Sequence, residues 1–289
     1  MTHQNSSQNL DFTLTSPIRA VFIDMDGTMI AKNERVSPRV MNALSRAKER
    51  GVEIIPTTGR TRYTALFISE QLRPPATYLI TSNGGLVMND LTNEIISRRL
   101  LPVPLALQII KAIVDAGSQP YVFEDCVSDE IELSRALYHP DLPSGAWAEP
   151  PRYRPDGDLL HTLPFEPISV SSFGDPAVIR PLVAHLRGTL SEEVSIVESG
   201  TREAWGVEVY VAGVDKRLGL EIMAKRLGIT QSETMAIGDH MNDLGMLKWA
   251  GIGVAMGNAI PEVLEVADDV TGTAEEDGVA DAIEKWVLR

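Results

Sequence analysis

The sequence predicts an α/β protein: a parallel sheet with helices on both faces, interrupted by an inserted α+β segment. Two observations carry that expectation. Short apolar runs alternate with helical patterns in both flanks of the chain. Between the flanks, residues 86–211 are rich in proline and lose the regular alternation.

Residues 18–23 form a short apolar run that reads as a buried strand. Ser37-Pro38 then reads as an N-cap with proline in the first turn. Val40, Met41, Leu44 and Ala47 share one helical face, and Gly51 supplies the stop. Residues 52–56 are the next strand, completing a βαβ unit. Residues 78–81 are a third short strand that runs into the turn signal Ser82-Asn83-Gly84-Gly85.

In the middle, residues 164–173 and 207–211 read as strands with a helix across 177–190 between them. Residues 139–155 read as a long Pro-rich loop. The first pattern returns at Asp215. Residues 216–227 form a helix closed by Gly228, and Thr230-Gln231-Ser232-Glu233 has the pattern of a capping box. Residues 234–237 and 252–256 are strands. The expected division is a polar, disordered leader over 1–16, a core made of 17–85 and 212–289, and an inserted α+β domain over 86–211.

Composition bounds the function. At 289 residues the chain can build one large core or two modest ones. A net charge of −14 argues against a nucleic-acid surface, which needs a basic face. The same field means that an anionic substrate requires a local basic pocket. The single cysteine, Cys126, excludes an internal disulfide and a Cys-rich metal site, and suits a reducing cytoplasm. No apolar run is long enough to span a membrane, and the first residues lack the basic and apolar regions of a secretory signal.

The most specific stretch is Val21-Phe22-Ile23-Asp24-Met25-Asp26-Gly27-Thr28. Residues i and i+2 of a strand point the same way, so two carboxylates can face one site at the strand's end. Such carboxylates raise each other's pKa and coexist ionised most easily around a cation, and hard oxygens suit Mg²⁺. The pattern D-x-D-G-T has a chance frequency on the order of 10⁻⁵ per position.

Open α/β sheets bind ligands at the carboxyl ends of their strands. Asp24 and Asp26, Thr58-Gly59, and the cluster Asp239, Asn242 and Asp243 all fall at such ends, and Lys216 falls at a helix start. Each has a plain alternative: a turn, a solvated turn, a helix N-cap or a surface lysine. Their joint occurrence in this order is what favours a site.

On these residues the chain resembles the haloacid dehalogenase-like hydrolases, in particular the Cof-type branch, subclass IIB, of sugar-phosphate phosphatases. The matching pieces are Asp24-Met25-Asp26-Gly27-Thr28, Thr58-Gly59-Arg60, Ser82-Asn83-Gly84-Gly85, Asp215-Lys216 and Gly238-Asp239-His240-Met241-Asn242-Asp243. Val254-Ala255-Met256-Gly257-Asn258-Ala259 and Glu275-Glu276-Asp277-Gly278-Val279-Ala280 complete the set. The resemblance spans nearly the whole chain from residue 18. It implies a Rossmann-like core with an inserted C2B-type cap.

It also implies roles. Asp24 would be the nucleophile, forming an aspartyl-phosphate. Asp26 would protonate the leaving alkoxide and then activate water. Mg²⁺ would bind Asp24, the backbone carbonyl of Asp26, and Asp239. Thr58, by hydroxyl and backbone N–H, would hold phosphate together with Gly59, Lys216 and Asn242. Asp243 would orient Lys216 or a metal-bound water.

Some residues remain divided between readings. Arg60 could bind an acid of the core or reach toward phosphate, and the first is slightly favoured. Asn83 reads as a turn-fixing residue, Arg217 as solvent-facing, and His240 as a neighbour of the metal site. Trp205, with Glu203, and the Trp147 loop are candidates for leaving-group contacts, though tryptophan in a small domain is more often core.

The expected function is hydrolysis of a small phosphorylated metabolite, a sugar phosphate, by a cytoplasmic monomer or small homo-oligomer. The rival readings are a dedicated glycoside-phosphate phosphatase (mannosyl-3-phosphoglycerate, sucrose or trehalose phosphate) and a phosphomutase. A non-enzymatic binding protein on the same fold is the third, and it predicts damage to Asp24, Asp26, Lys216 or Asp239. All four are intact.

Overall fold

The computed structural model describes residues 16–32, 34–124, 136–137, 163, 165–200 and 202–289. Residues 1–15 of the expected leader, the 139–155 loop, Cys126 and Trp147 lie outside the described residues. In chain order the elements begin β1 (Ala20–Ile23), α1 (Pro38–Glu49), β2 (Glu53–Pro56), α2 (Arg62–Ser69), β3 (Tyr78–Thr81), β4 (Leu86–Asn89) and β5 (Glu94–Arg98). There follow α3 (Val103–Asp115), β6 (Tyr121–Phe123), β7 (Ala136–Leu137), β8 (Ser169–Gly174), α4 (Pro176–Leu190), β9 (Val194–Gly200) and β10 (Trp205–Val211). The chain ends with α5 (Lys216–Leu227), β11 (Thr234–Gly238), α6 (Leu244–Trp249), β12 (Ile252–Ala255), α7 (Pro261–Val266), β13 (Asp269–Val270) and α8 (Gly278–Trp286).

β13, β12, β11, β1 and β2 form a parallel sheet in that order. Its strands β1, β11 and β12 are buried along their whole length because both faces are covered there. Val21 and Ile23 point to a cluster with Val40, Leu44 and Ala47 of α1 and Val279 and Ile283 of α8. Ala20 and Phe22 point the other way, to Leu220 and Met223 of α5 and to Met246 and Val263.

Local chemistry sets the helix ends. Ser37 Oγ accepts from the Val40 N–H at 3.1 Å, and Gly51, at φ +79°, turns the chain into β2. Asp215 caps α5 through the Leu218 N–H, and Gly228, at φ +63°, ends it. The capping-box pattern at Thr230 forms, but over a single 3₁₀ turn. Helix α2 is an element the sequence pattern had not suggested.

β3 leaves the parallel sheet. One bridge, Thr57 to Ile80, joins it to the end of β2, and it then pairs antiparallel with the β4–β5 hairpin. Leu86 and Met88 pack into the α1/α8 cluster and Val87 into the opposite one. The hairpin thus belongs by packing to the parallel-sheet body.

A second sheet, in the order β7-β6-β8-β10-β9, is antiparallel. Its Val122, Val170, Val207 and Val209 form a separate core with Ile109 and Ile113 of α3 and Ile179, Val183 and Leu186 of α4. Alternate residues face the other way. That second face carries Ser169, Ser171, Glu208 and Tyr210.

Candidate active site

The site lies at the carboxyl ends of β1, β2 and β11. The turn after β1 is closed by Met29 N–H to Asp24 O at 3.1 Å and Gly27 N–H to Ile30 O at 3.0 Å. Gly27 sits at φ +77°, and a Cβ there would lie 2.5 Å from Asp239 Oδ2. Only glycine fits both the backbone and the approach. Thr28 Oγ1 donates to Asp239 Oδ1 at 3.1 Å, and Asn258 Nδ2 donates to Asp239 Oδ2 at 3.2 Å and to Gly27 O at 2.9 Å.

Lys216 is fully buried at the first turn of α5, where the helix dipole opposes a cation. Two carboxylates hold it there: Nζ is 2.5 Å from Asp24 Oδ1 and 2.6 Å from Asp243 Oδ1. Asp243 spends its other oxygen on the backbone N–H groups of Asp239 and His240, both at 2.9 Å. One buried side chain therefore fixes the lysine and shapes the loop that presents Asp239.

Asp24, Asp239 and Asp243 converge, with one oxygen of each within 4.8 Å of the others. Burial raises Asp24 well above the usual carboxylate range, Lys216 pulls it back, and Asp243 and Asp239 add to the rise. Burial, with Asp243 second, pushes Asp239 up to about 6. Burial works against the Lys216 charge, but Asp24 and then Asp243 hold it above the ordinary lysine value. One ammonium cannot neutralise three crowded carboxylates. The donor set is hard, anionic and undercompensated, which fits a divalent cation.

The other candidates divide. Thr58 is buried, but its N–H donates to Ile80 O at 2.9 Å, so the expected backbone contact to phosphate is already committed. Its hydroxyl accepts from the Arg60 N–H at 3.1 Å and keeps a proton to give. The adjacent Gly59 N–H enters no hydrogen bond among the described residues. Asn242 donates to Asn83 Oδ1 at 2.9 Å, leaving a second amide proton.

Asp26 stands apart from the three converging carboxylates. Its side chain is half exposed and gripped by Arg60, which also binds Glu34 Oε1 at 2.7 Å. Arg217 pairs with Glu221 on the surface. Trp205 packs into the core of the antiparallel sheet, with Nε1 donating to Glu198, and Arg180 lies 4.5 Å over its ring.

Two functional-looking side chains escaped sequence reasoning. Glu208 Oε2 accepts from Asn83 Nδ2 and from Tyr210 Oη, both at 2.9 Å. Asn83 thereby links Glu208 on β10 to Asn242 in the loop after β11. The available signal was strand alternation: Trp205, Val207 and Val209 share the core face, so Glu208 must take the other.

A sequence model of the haloacid dehalogenase-like hydrolases matches residues 21–283. The chain belongs to that family. It is 30% identical over 271 residues to the 5-amino-6-(5-phospho-D-ribitylamino)uracil phosphatase YcsE of Bacillus subtilis, covering 94% of this chain and 96% of the relative. It is 28% identical to the HMP-PP phosphatase of Serratia proteamaculans, over 93% of this chain and 95% of that one. Among solved structures, a haloacid dehalogenase-like hydrolase from Bacteroides thetaiotaomicron aligns with a TM-score of 0.76 at 25% identity, covering 93% of this chain and 99% of the other. The subclass IIB sugar phosphatase BT4131 shares the fold, with a TM-score of 0.73 at 22% identity and 94% and 100% coverage. This member of the family is an enzyme, a phosphatase. Among its described residues no helix is long and apolar enough to cross a membrane.

Proposed function

We propose that this phosphatase hydrolyses a sugar phosphate or similar small phosphorylated metabolite through an aspartyl-phosphate on Asp24, with Mg²⁺ as cofactor. The observation that carries the reading is the buried Asp24 at the tip of β1, tied to Lys216 and facing Asp239 and Asp243. Asp24, the backbone carbonyl of Asp26, and Asp239 would hold the cation, with Asp243 beside them. A divalent cation there supplies charge compensation between an anionic nucleophile and an anionic phosphate.

The Asp24 carboxylate attacks phosphorus as the bond to the leaving oxygen breaks, and Asp26 gives that oxygen its proton. Asp26 must leave Arg60 to do so. It then takes a proton from the water that attacks the aspartyl-phosphate, releasing inorganic phosphate and restoring Asp24. Lys216, the Thr58 hydroxyl, the Gly59 N–H and Asn242 hold the phosphoryl oxygens.

The antiparallel sheet with α3 and α4 is assigned as the cap that admits the leaving group. The packing of Leu86, Val87 and Met88 against the parallel-sheet body supports counting the β4–β5 hairpin with the core, which gives a proposed cap of about residues 99–211. A phosphorylated ribityl compound in one relative's name and a sugar phosphatase among the structural neighbours support a polyol-like substrate. A cytoplasmic location suits the single cysteine.

The test is hydrolysis of p-nitrophenyl phosphate with and without Mg²⁺. Activity abolished by EDTA and by Asp24→Asn is the expected result. Undiminished turnover in either case overturns the mechanism.

A further inference from the structure

Glu208 and Ser171 stand directly opposite each other on β10 and β8, on the sheet face turned away from α3 and α4. Directly paired residues of antiparallel strands have Cβ atoms about 4.5–5.5 Å apart. Both side chains nevertheless keep unused hydrogen-bonding capacity. Ser171 is 1% exposed, and its Oγ is buried with no partner among the described residues. Glu208 engages Oε2 with Asn83 and Tyr210, while Oε1 accepts no hydrogen bond among the described residues.

A buried hydroxyl without a partner is uncommon in a native protein and asks for an explanation. The pair also sits on the side of the catalytic loops. Asn83, which donates to Glu208, receives the Asn242 amide. Lys216 is near enough for its charge to counter the effect of burial on Glu208.

We propose that Glu208 Oε1 and Ser171 Oγ form a subsite for hydroxyl groups of the leaving group. This rests on the reading of Asp24 as the centre of a phosphatase and adds the class of substrate. A carboxylate oxygen accepts and cannot donate, so it selects a donor such as a sugar or polyol hydroxyl. Ser171 can accept from or donate to a neighbouring hydroxyl of the same chain. The same carboxylate repels a second phosphate or a carboxylate on the leaving group. The pair therefore favours neutral polyol monophosphates over bisphosphates and phosphoglycerate-type glycosides. Trp205 takes no part, because its ring lies on the other face of the sheet.

The test compares kcat/KM for a hexitol phosphate, n-hexyl phosphate and a hexose bisphosphate in wild type, Glu208→Gln and Ser171→Ala. The first two substrates have the same carbon count and differ in hydroxyls. Charge-assisted hydrogen bonds of this kind predict that Glu208→Gln lowers the hexitol-to-hexyl preference about tenfold or more, and Ser171→Ala lowers it by a smaller factor. Glu208→Gln should also raise the rate on the bisphosphate relative to the hexitol phosphate, a gain that mere loosening of the fold does not produce. An equal fall on all three substrates shows that Glu208 acts only through Asn83 on the fold and overturns the proposal. An unchanged preference in both variants leaves a bridging water as the partner of the two groups and also overturns it. Failure of the underlying mechanism reads differently: Asp24→Asn would then keep its activity, whatever Glu208 does.

Discussion

Arg60 holds Asp26 by both carboxylate oxygens, with Nε 2.8 Å from Oδ2 and Nη2 2.6 Å from Oδ1. The guanidinium fork matches a carboxylate in a way that an ammonium cannot. The residue proposed to shuttle the proton is thus held, outside the cluster of Asp24, Asp239 and Asp243, by a partner it must leave before it acts. Arg60→Lys keeps the charge and removes the fork. By loosening that hold it should raise kcat a few-fold on an alkyl phosphate, whose leaving oxygen needs a proton, and change it less on p-nitrophenyl phosphate. Equal effects on the two substrates would separate Arg60 from the proton transfer.

Gly27 and Gly51 offer a controlled pair. Both have strongly positive φ, at +77° and +79°, but a Cβ at Gly51 meets nothing within 4 Å, whereas at Gly27 it meets Asp239 Oδ2 at 2.5 Å. Gly51→Ala should cost about 1 kcal/mol of stability, the backbone penalty alone. Gly27→Ala should cost more and also displace Asp239, weakening Mg²⁺ binding. Denaturant melts and metal titration of the two variants check both parts.

The pH dependence of the metal-free protein follows from Asp239, raised from 3.8 to about 6 by burial and then by Asp243. Between those values the folded chain binds more protons than the unfolded one, so stability falls as pH rises through that window. The upper bound is about 3 kcal/mol for a shift of this size, and Asp24 moves in the same direction. A divalent cation competes with these protons. The thermal shift produced by Mg²⁺ should be large near about pH 7.5 and shrink toward about pH 5. A shift independent of pH contradicts the assigned ligands.

Lys216 compensates two buried carboxylates, so removing it leaves charge uncompensated. Lys216→Met should abolish hydrolysis and destabilise the metal-free protein by about 3–5 kcal/mol, the usual effect of breaking a buried ion pair. Added Mg²⁺ should restore part of the stability but not the activity. Thermal melts with and without the cation separate the two effects.

Much of this arrangement is legible in the residues. β1, α1, β2, α5, β11 and β12 follow from apolar periodicity and end signals such as Ser37-Pro38 and Gly228, because local chemistry sets them. The convergence of Asp24, Lys216 and Asp243 was reachable because strand ends gather on one edge of a parallel sheet. Departures arise where long-range pairing decides. Tyr78–Thr81 is a strand by composition, but it pairs along its length with β4 and touches the end of β2 through a single bridge, which a local pattern does not show. The Arg60–Asp26 pair depends on a side-chain rotamer, and the Glu208–Asn83–Asn242 chain joins residues from three separate parts of the sequence.

The most direct measurement is acid quenching of the enzyme during turnover of a radiolabelled phosphate monoester, followed by peptide mapping. A base-labile phosphoryl group is expected on the peptide containing Asp24, formed at a rate that supports turnover and absent in Asp24→Asn. Turnover without any trapped label, or label that persists in Asp24→Asn, would contradict an aspartyl-phosphate on Asp24.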